Sequence, residues 1–184
     1  MSSDAAASAQ GGAGFIGSHA ALRLLLDGHA VTIVDNLSRG NLGAIAALRK
    51  HVPDVAGRLR FVEADLGRKE AVEQVFATSS PPVSLVIHFA AVAFVGESVA
   101  QPLRYYSNVT ANTVIILQSM AKYSVKQLIY SSTCAVYGNP AKLPITEETP
   151  PEPINPYGRS KLMAEQAVKD FAAANPSFKV AILR

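Results

Sequence analysis

Apolar residues recur along this chain in two alternating rhythms: short unbroken runs, and longer stretches with apolar positions three and four apart. The runs at 31–35 (Val-Thr-Ile-Val-Asp), 59–65 (Leu-Arg-Phe-Val-Glu-Ala-Asp), 83–90, 127–132 and 178–183 predict buried strands. The stretches between them predict helices. One over 17–27 places Ala20, Ala21, Leu24 and Leu25 on one face and ends at Gly28 as a C-cap. Others cover 42–50, 68–78, which is stopped by Pro81-Pro82, and 157–174. Pro102 opens the longest, with Leu103, Tyr106, Thr110, Val114, Leu117 and Ala121 along one face. Six of the eleven prolines fall between 139 and 156, which predicts a long irregular loop of the kind that tends to be functional.

Strands alternating with helices predict an α/β fold, a doubly wound parallel sheet of Rossmann type with right-handed crossovers. The glycine turn Gly11-Gly12-Ala13-Gly14-Phe15-Ile16-Gly17 fits that fold, because glycines three apart permit a tight turn and the opening of a helix close to a ligand. The free N–H groups of that first turn, together with the helix dipole, favour a phosphate. Asp35 lies 18 residues after Gly17, where a ribose-binding carboxylate of a dinucleotide fold belongs. Residues 1–10 fall where the central strand is expected, yet Ala and Ser favour strands poorly. Either the neighbouring strands draw Ala5 to Ala9 into the sheet, or its centre is thin. The organisation expected is an atypical segment at 1–10 replacing most of the first strand, followed by one NAD(P)-binding domain over 11–184.

Composition narrows the field. With 17 basic and 14 acidic residues, a net charge of +3 and no basic run, the chain does not look like a nucleic-acid binder. No apolar stretch reaches the length of a membrane span and residues 1–10 do not resemble a signal peptide, so no membrane partner is expected and a cytosolic setting is the default. The four histidines show no ligand spacing, and no metal is expected. Cys134, the single cysteine, reads as a small buried residue rather than a nucleophile.

Ligands of such sheets sit beyond the carboxyl ends of the strands, where strand order reverses. Those ends are Gly11–Gly17, Asp35-Asn36, Asp65-Leu66, Phe89-Ala90-Ala91 and Ser131-Ser132-Thr133, joined by the helix start at Tyr157. Tyr157 and Lys161 are four apart and share a helix face. A lysine cation beside a phenol favours the phenolate, so the pair suits a general base, with the Thr133 hydroxyl assisting at the same substrate oxygen. Taken singly these residues have plainer readings. Tyr157 and Lys161 also read as an ordinary helix pair, Thr133 as a strand-end hydroxyl, and Asp35 and Asp65 as solvated carboxylates or helix caps.

The segments 11–19 (Gly-Gly-Ala-Gly-Phe-Ile-Gly-Ser-His), 34–41 (Val-Asp-Asn-Leu-Ser-Arg-Gly-Asn), 88–98, 130–138 (Tyr-Ser-Ser-Thr-Cys-Ala-Val-Tyr-Gly) and 155–161 (Asn-Pro-Tyr-Gly-Arg-Ser-Lys) resemble the extended short-chain dehydrogenase/reductases. Within these the chain is most similar to the nucleotide-sugar 4-epimerases, above all the branch acting on UDP-arabinose and UDP-xylose, beside that acting on UDP-glucose and UDP-galactose. The resemblance runs from Gly11 to Arg184. It implies NAD as cofactor and epimerisation at C4 of a UDP-sugar through a transient 4-keto sugar. Tyr157 would then be the base, Lys161 would hold the nicotinamide ribose and tune the tyrosine, and Thr133 would assist at the sugar hydroxyl. Gly11, Gly14, Phe15, Ile16 and Gly17 would seat the pyrophosphate. Asp35 and Asn36 would bind the adenosine ribose, Asp65 and Leu66 the adenine, and Phe89 and Ala90 the cofactor's middle, with Ala91 and Ser131 also binding the cofactor and Asn108 near cofactor and substrate. It also implies a homodimer through the helices beginning near Pro102 and Tyr157, and a Golgi setting for a longer form with an anchor. Related dehydratases place two acids after the position of Thr133, whereas this chain has Cys134 and Ala135, so dehydration is not expected. The family continues past the position of Arg184 into a substrate domain, so the expected alternatives are a truncated, non-catalytic NAD-binding module or another sugar-nucleotide enzyme of the same class.

Overall fold

The computed structural model describes residues 6–52 and 54–184. Six parallel strands form one sheet in the order β3-β2-β1-β4-β5-β6. They are β1 (Ala6–Gln10), β2 (Ala30–Asp35), β3 (Leu59–Glu63), β4 (Val83–His88), β5 (Gln127–Ser131) and β6 (Lys179–Leu183). Strand order reverses between β1 and β4, so a crevice opens above the carboxyl end of β1. The helices are α1 (Phe15–Leu26), α2 (Leu42–His51), α3 (Lys69–Ala77), α4 (Val95–Ala100), α5 (Pro102–Tyr105), α6 (Asn112–Lys122) and α7 (Pro156–Ala174). A π turn over Tyr106–Ala111 joins α5 to α6, and a short 3-10 helix spans Cys134–Tyr137.

The Ala-rich strand is drawn into the sheet. All five residues of β1 are buried, and its backbone pairs in register with β2 from Ala6↔Ala30 to Gln10↔Val34 and with β4 up to Gln10↔His88. Two flanking ladders satisfy its N–H and C=O groups whatever side chains it carries, which outweighs weak intrinsic propensity. The part of the expectation that falls on residues 1–5 lies outside the described residues.

Two apolar layers enclose the sheet. Ala9, Val31 and Ile33 pack with Ala21 and Leu25 of α1 and Ile45 and Leu48 of α2. On the other face Val34, Val86 and Leu128 pack with Val72 and Phe76 of α3, Ile116 and Met120 of α6, and Ala164 and Val168 of α7. Among the described residues no helix is long and apolar enough to cross a membrane.

Several boundaries differ from expectation. Helix α1 begins at Phe15, inside the glycine turn, and is capped by Asp27, with Gly28 following at φ 87. Strand β3 stops at Glu63, so Asp65 stands two residues beyond it. The segment opened by Pro102 is interrupted by the π turn, and α7 at 19 residues is the longest α-helix. The inward face of the segment opened by Pro102 matches the predicted one only in part: Leu117 is buried and Tyr106 and Thr110 are half-buried. Leu103 and Val114 are exposed, while Tyr105, Val109, Thr113, Ile116, Leu117 and Met120 are buried. The buried face also includes Asn112, Thr113 and Ser119, polar residues turned toward the crevice or bonded to the helix backbone, which is why apolarity marked only part of it. Cys134 is exposed rather than buried, because it opens the 3-10 helix beyond the sheet.

Candidate functional site

The carboxyl ends of β1, β2, β4 and β5 surround a crevice of about 270 Å³. Its floor is the glycine turn. Gly11 has φ +76, and a Cβ there would stand 2.6 Å from the Ala90 backbone nitrogen, so only glycine lets β1 turn beneath β4. A Cβ on Gly17 would stand 2.3 Å from Gly11 O, so α1 can press onto the turn only without one. Gly17→Ala is therefore expected to cost about 2 kcal/mol of stability. Chemical denaturation measures this, and a variant as stable as the parent would show the turn yielding freely.

Gly14 opens α1 with no side-chain cap and no acid in the first turn. The first N–H groups of α1 have no intrahelical acceptor and face the crevice, whose wall Phe15 and Ile16 extend. This is an anion seat. Beside it Asp35, almost fully buried, accepts from Ala13 N at 3.0 Å through Oδ2 and from Leu37 N at 2.9 Å through Oδ1. One carboxylate thus ties the glycine turn to the loop after β2. Asn36 folds back to accept from Ser38 N at 3.0 Å. Asp65 accepts from Gly67 N at 2.9 Å and stands with Leu66 at one end of the crevice. Phe89, Ala90 and Ala91 form the opposite wall, held by the Phe89 N bond to Gln10 O at 2.9 Å. Asn108, on the π turn, accepts from Val92 N at 2.8 Å. π turns often occur at functional sites, and this one faces the crevice.

The crevice thus gathers Gly11, Gly14, Phe15, Ile16, Gly17, Asp35, Asn36, Asp65, Leu66, Phe89, Ala90, Ala91, Asn108 and Ser131. Tyr157, Lys161 and Thr133 do not line it. They sit just behind it. Tyr157 packs against Val92 and Tyr105, its ring meeting that of Tyr105 edge-on at 6.1 Å. Lys161 donates through Nζ to Ser131 O at 2.6 Å and lies 4.9 Å from the centre of the Tyr130 ring. Thr133 caps the 3-10 helix, its Oγ1 accepting from Ala135 N at 3.1 Å, and its hydroxyl stands near enough to the Tyr157 phenol to favour the phenolate. Asn155 caps α7 by accepting from Gly158 N at 2.8 Å, and Pro156 follows at the first helical position, which fixes where Tyr157 stands.

The electrostatics differ from expectation. Burial raises the Tyr157 phenol above its ordinary value, the Thr133 hydroxyl opposes this in part, and Cys134 raises it further. The lysine cation does not lower it in the protein alone. Lys161 spends its Nζ on Ser131 O, and its own pKa is pushed down to about 8 by burial, against an opposing pull from Glu165. His88, between Gln10 and Tyr130 in the strand register, is lowered to about 3 by burial and by the Lys161 charge, and is neutral at pH 7.

Sequence reasoning passed over several neighbours. Ser38, Arg39, Gly40, Ala64, Val92, Ala93 and Asn112 also line the crevice. Glu165, fully buried, accepts from Ser132 Oγ and pairs with Arg184 at 2.6 Å, while Arg184 Nη1 donates to Tyr137 OH at 2.9 Å. Burial pushes its carboxyl up, but Arg184 and Ser132 more than offset that and hold it below the usual range. A signal existed: Glu165 stands four residues after Lys161, an acid on the buried stripe of a helix.

The family model described as the NAD dependent epimerase/dehydratase family matches residues 10–184. UDP-arabinose 4-epimerase 1 of Arabidopsis thaliana is 57% identical over 174 residues, covering 95% of this chain and 41% of that protein. UDP-glucose 4-epimerase of Bacillus subtilis (strain 168) is 45% identical over 175 residues, covering 95% of this chain and 50% of the relative. The crystal structure of UDP-glucose 4-epimerase from Bifidobacterium longum in complex with NAD+ and UDP aligns at a TM-score of 0.91 and 39% identity, over 97% of this chain and 52% of that one. The chain therefore spans about half the length of these relatives, or less.

Proposed function

This chain belongs to the NAD dependent epimerase/dehydratase family, and from that premise we propose that it forms the cofactor-binding and catalytic part of an NAD-dependent UDP-sugar 4-epimerase, with UDP-xylose and UDP-arabinose as the first pair to test and UDP-glucose and UDP-galactose as the second. The observation that carries the reading is the placement of Tyr157, Thr133 and Lys161 together behind Ser131 and Val92, at one side of a crevice floored by a glycine turn.

The residues present fit a dinucleotide. The cradle at Gly11 and Gly17 excludes even a methyl group, the first turn of α1 offers N–H groups to a pyrophosphate, and a buried carboxylate stands at the end of β2. Asp35 and Asn36 would hold the adenosine ribose and Asp65 and Leu66 the adenine. Phe89, Ala90, Ala91, Asn108 and Ser131 would line the middle. When bound, NAD supplies reversible hydride acceptance from C4 of the sugar. The chain's own groups move the proton. Tyr157 OH, as phenolate, accepts it from the 4-hydroxyl and returns it after the sugar has turned, so no net oxidation occurs. Thr133 Oγ1 donates to the same sugar oxygen, and Lys161 Nζ supplies positive charge beside the ribose and the phenol.

Support for a homodimer comes from the exposed apolar residues Val99 on α4, Leu103 on α5 and Met163 on α7.

The test is interconversion of UDP-xylose and UDP-arabinose by the purified protein, run beside UDP-glucose and UDP-galactose. Turnover of either pair is expected. Protein that holds NAD but turns over neither pair is a binding module instead. The Asp35 carboxylate repels a 2′-phosphate, so NAD is expected to bind at least about ten-fold tighter than NADP. Equal affinities in a calorimetric titration would remove Asp35 from cofactor choice.

A further inference from the structure

The loop after β2 carries two residues with opposed preferences. Asp35 disfavours a 2′-phosphate on the adenosine ribose, yet Arg39, four residues on in the same loop and also lining the crevice, is the residue type that accommodates one. The structure shows where that guanidinium goes. Arg39 Nη2 donates to Glu97 Oε2 at 3.0 Å and to Oε1 at 3.3 Å, and its guanidinium carbon stands 4.6 Å from the centre of the Phe94 ring. Phe94 and Glu97 follow β4, on the far side of β1 from the loop that carries Arg39. The pair therefore bridges the two loops that flank the glycine turn.

Glu97 is itself fixed. Arg104 pairs with its Oε1, and Tyr105 OH lies 3.1 Å from its Oε2 while donating to Phe94 O at 2.7 Å. Phe94 N in turn donates to Tyr105 OH at 3.1 Å, so the acceptor side of the bridge is a braced unit, not a free side chain. A guanidinium held through one nitrogen by both oxygens of a carboxylate and stacked on an aromatic face has its charge matched and its position fixed.

We infer that Glu97 is a positioning residue for cofactor choice: it holds the Arg39 guanidinium toward α4, away from the ribose position beside Asp35, and so keeps NADP out. This rests on the reading of the crevice as a dinucleotide site. Two residues then act in the same direction by different means, Asp35 by repulsion and Glu97 by withdrawing the one cation of that loop that a 2′-phosphate would recruit.

The test is calorimetric titration of the purified protein and its variants with NAD and NADP. Glu97→Gln keeps the shape and removes the charge. It should shift the NADP-to-NAD affinity ratio toward NADP by about ten-fold. Adding Arg39→Met to that variant should return the ratio to the parent value. Arg104→Gln loosens the same brace without releasing Arg39 and should leave the ratio unmoved, which separates withdrawal of a cation from general loosening. If NAD binds and Glu97→Gln leaves the ratio unchanged, or if Arg104→Gln shifts it equally, the inference about Glu97 is overturned and the dinucleotide reading stands. If neither dinucleotide binds the parent protein, both fall.

Discussion

Tyr157→Phe is expected to lower kcat for sugar interconversion by about 10³-fold and to leave NAD bound. Phenylalanine keeps the ring that packs on Val92 and meets Tyr105 edge-on, so the fold at this corner persists and only the hydroxyl is lost. On the proposed function that hydroxyl is the group that exchanges a proton with the sugar, beside the Thr133 hydroxyl. Because burial raises the phenol, the phenolate is a minor form at pH 7, and kcat/KM of the parent is expected to rise as the pH is raised above neutrality. The same rising limb is absent in the variant. Unchanged turnover in Tyr157→Phe, with NAD bound, would remove Tyr157 from the mechanism.

The alternation of apolar runs and helical stretches was enough to read the sheet, because each strand after the first is short and built around Val, Ile, Leu or an aromatic residue, and crossovers carry their own stops, such as Asn155-Pro156 before α7. The crevice residues were legible for a related reason. In a parallel sheet the strand ends must converge, so Asp35, Asp65, Phe89 and Ser131 needed only their place in the chain. The inward face of 102–122 was legible only in part, at Leu117, since its other buried positions include Asn112, Thr113 and Ser119, which are polar and face the crevice or bond to the helix backbone. The Arg39 bridge to Glu97 and the Glu165 pair with Arg184 were not legible. The first joins residues 58 apart and the second residues 19 apart, and each is made by side chains whose meeting depends on how loops fold over the sheet. The sign of the Tyr157 shift was missed because spacing on a helix says that two residues share a face, not which acceptor a long side chain takes. Lys161 takes Ser131 O.

Lys161→Met is expected to make the protein more stable at pH 7 and to weaken NAD binding. Lys161 is 2% exposed, beside the Tyr130 ring and close enough to His88 for its charge to be felt there, with Glu165 the opposite charge acting on it. Burial lowers its pKa from 10.5 to about 8, which means that holding the cation in the folded state costs about 3 kcal/mol. Methionine removes that cost and forfeits the bond to Ser131 O, about 1 kcal/mol, leaving a gain of about 2 kcal/mol. The pH dependence gives the cause away. Between about 8 and 10.5 the unfolded chain holds a proton on this amine that the folded chain has released, so the lysine protein gains stability as pH rises through that window. The stability difference between variant and parent should be constant below pH 8 and shrink toward pH 10.5, as read by denaturant titrations across that range. A variant less stable than the parent at pH 7 would show that the cation serves the fold. A residue that burdens the fold, hydrogen-bonded to the backbone carbonyl of a crevice residue and one helical turn from the phenol, is expected to act on a ligand.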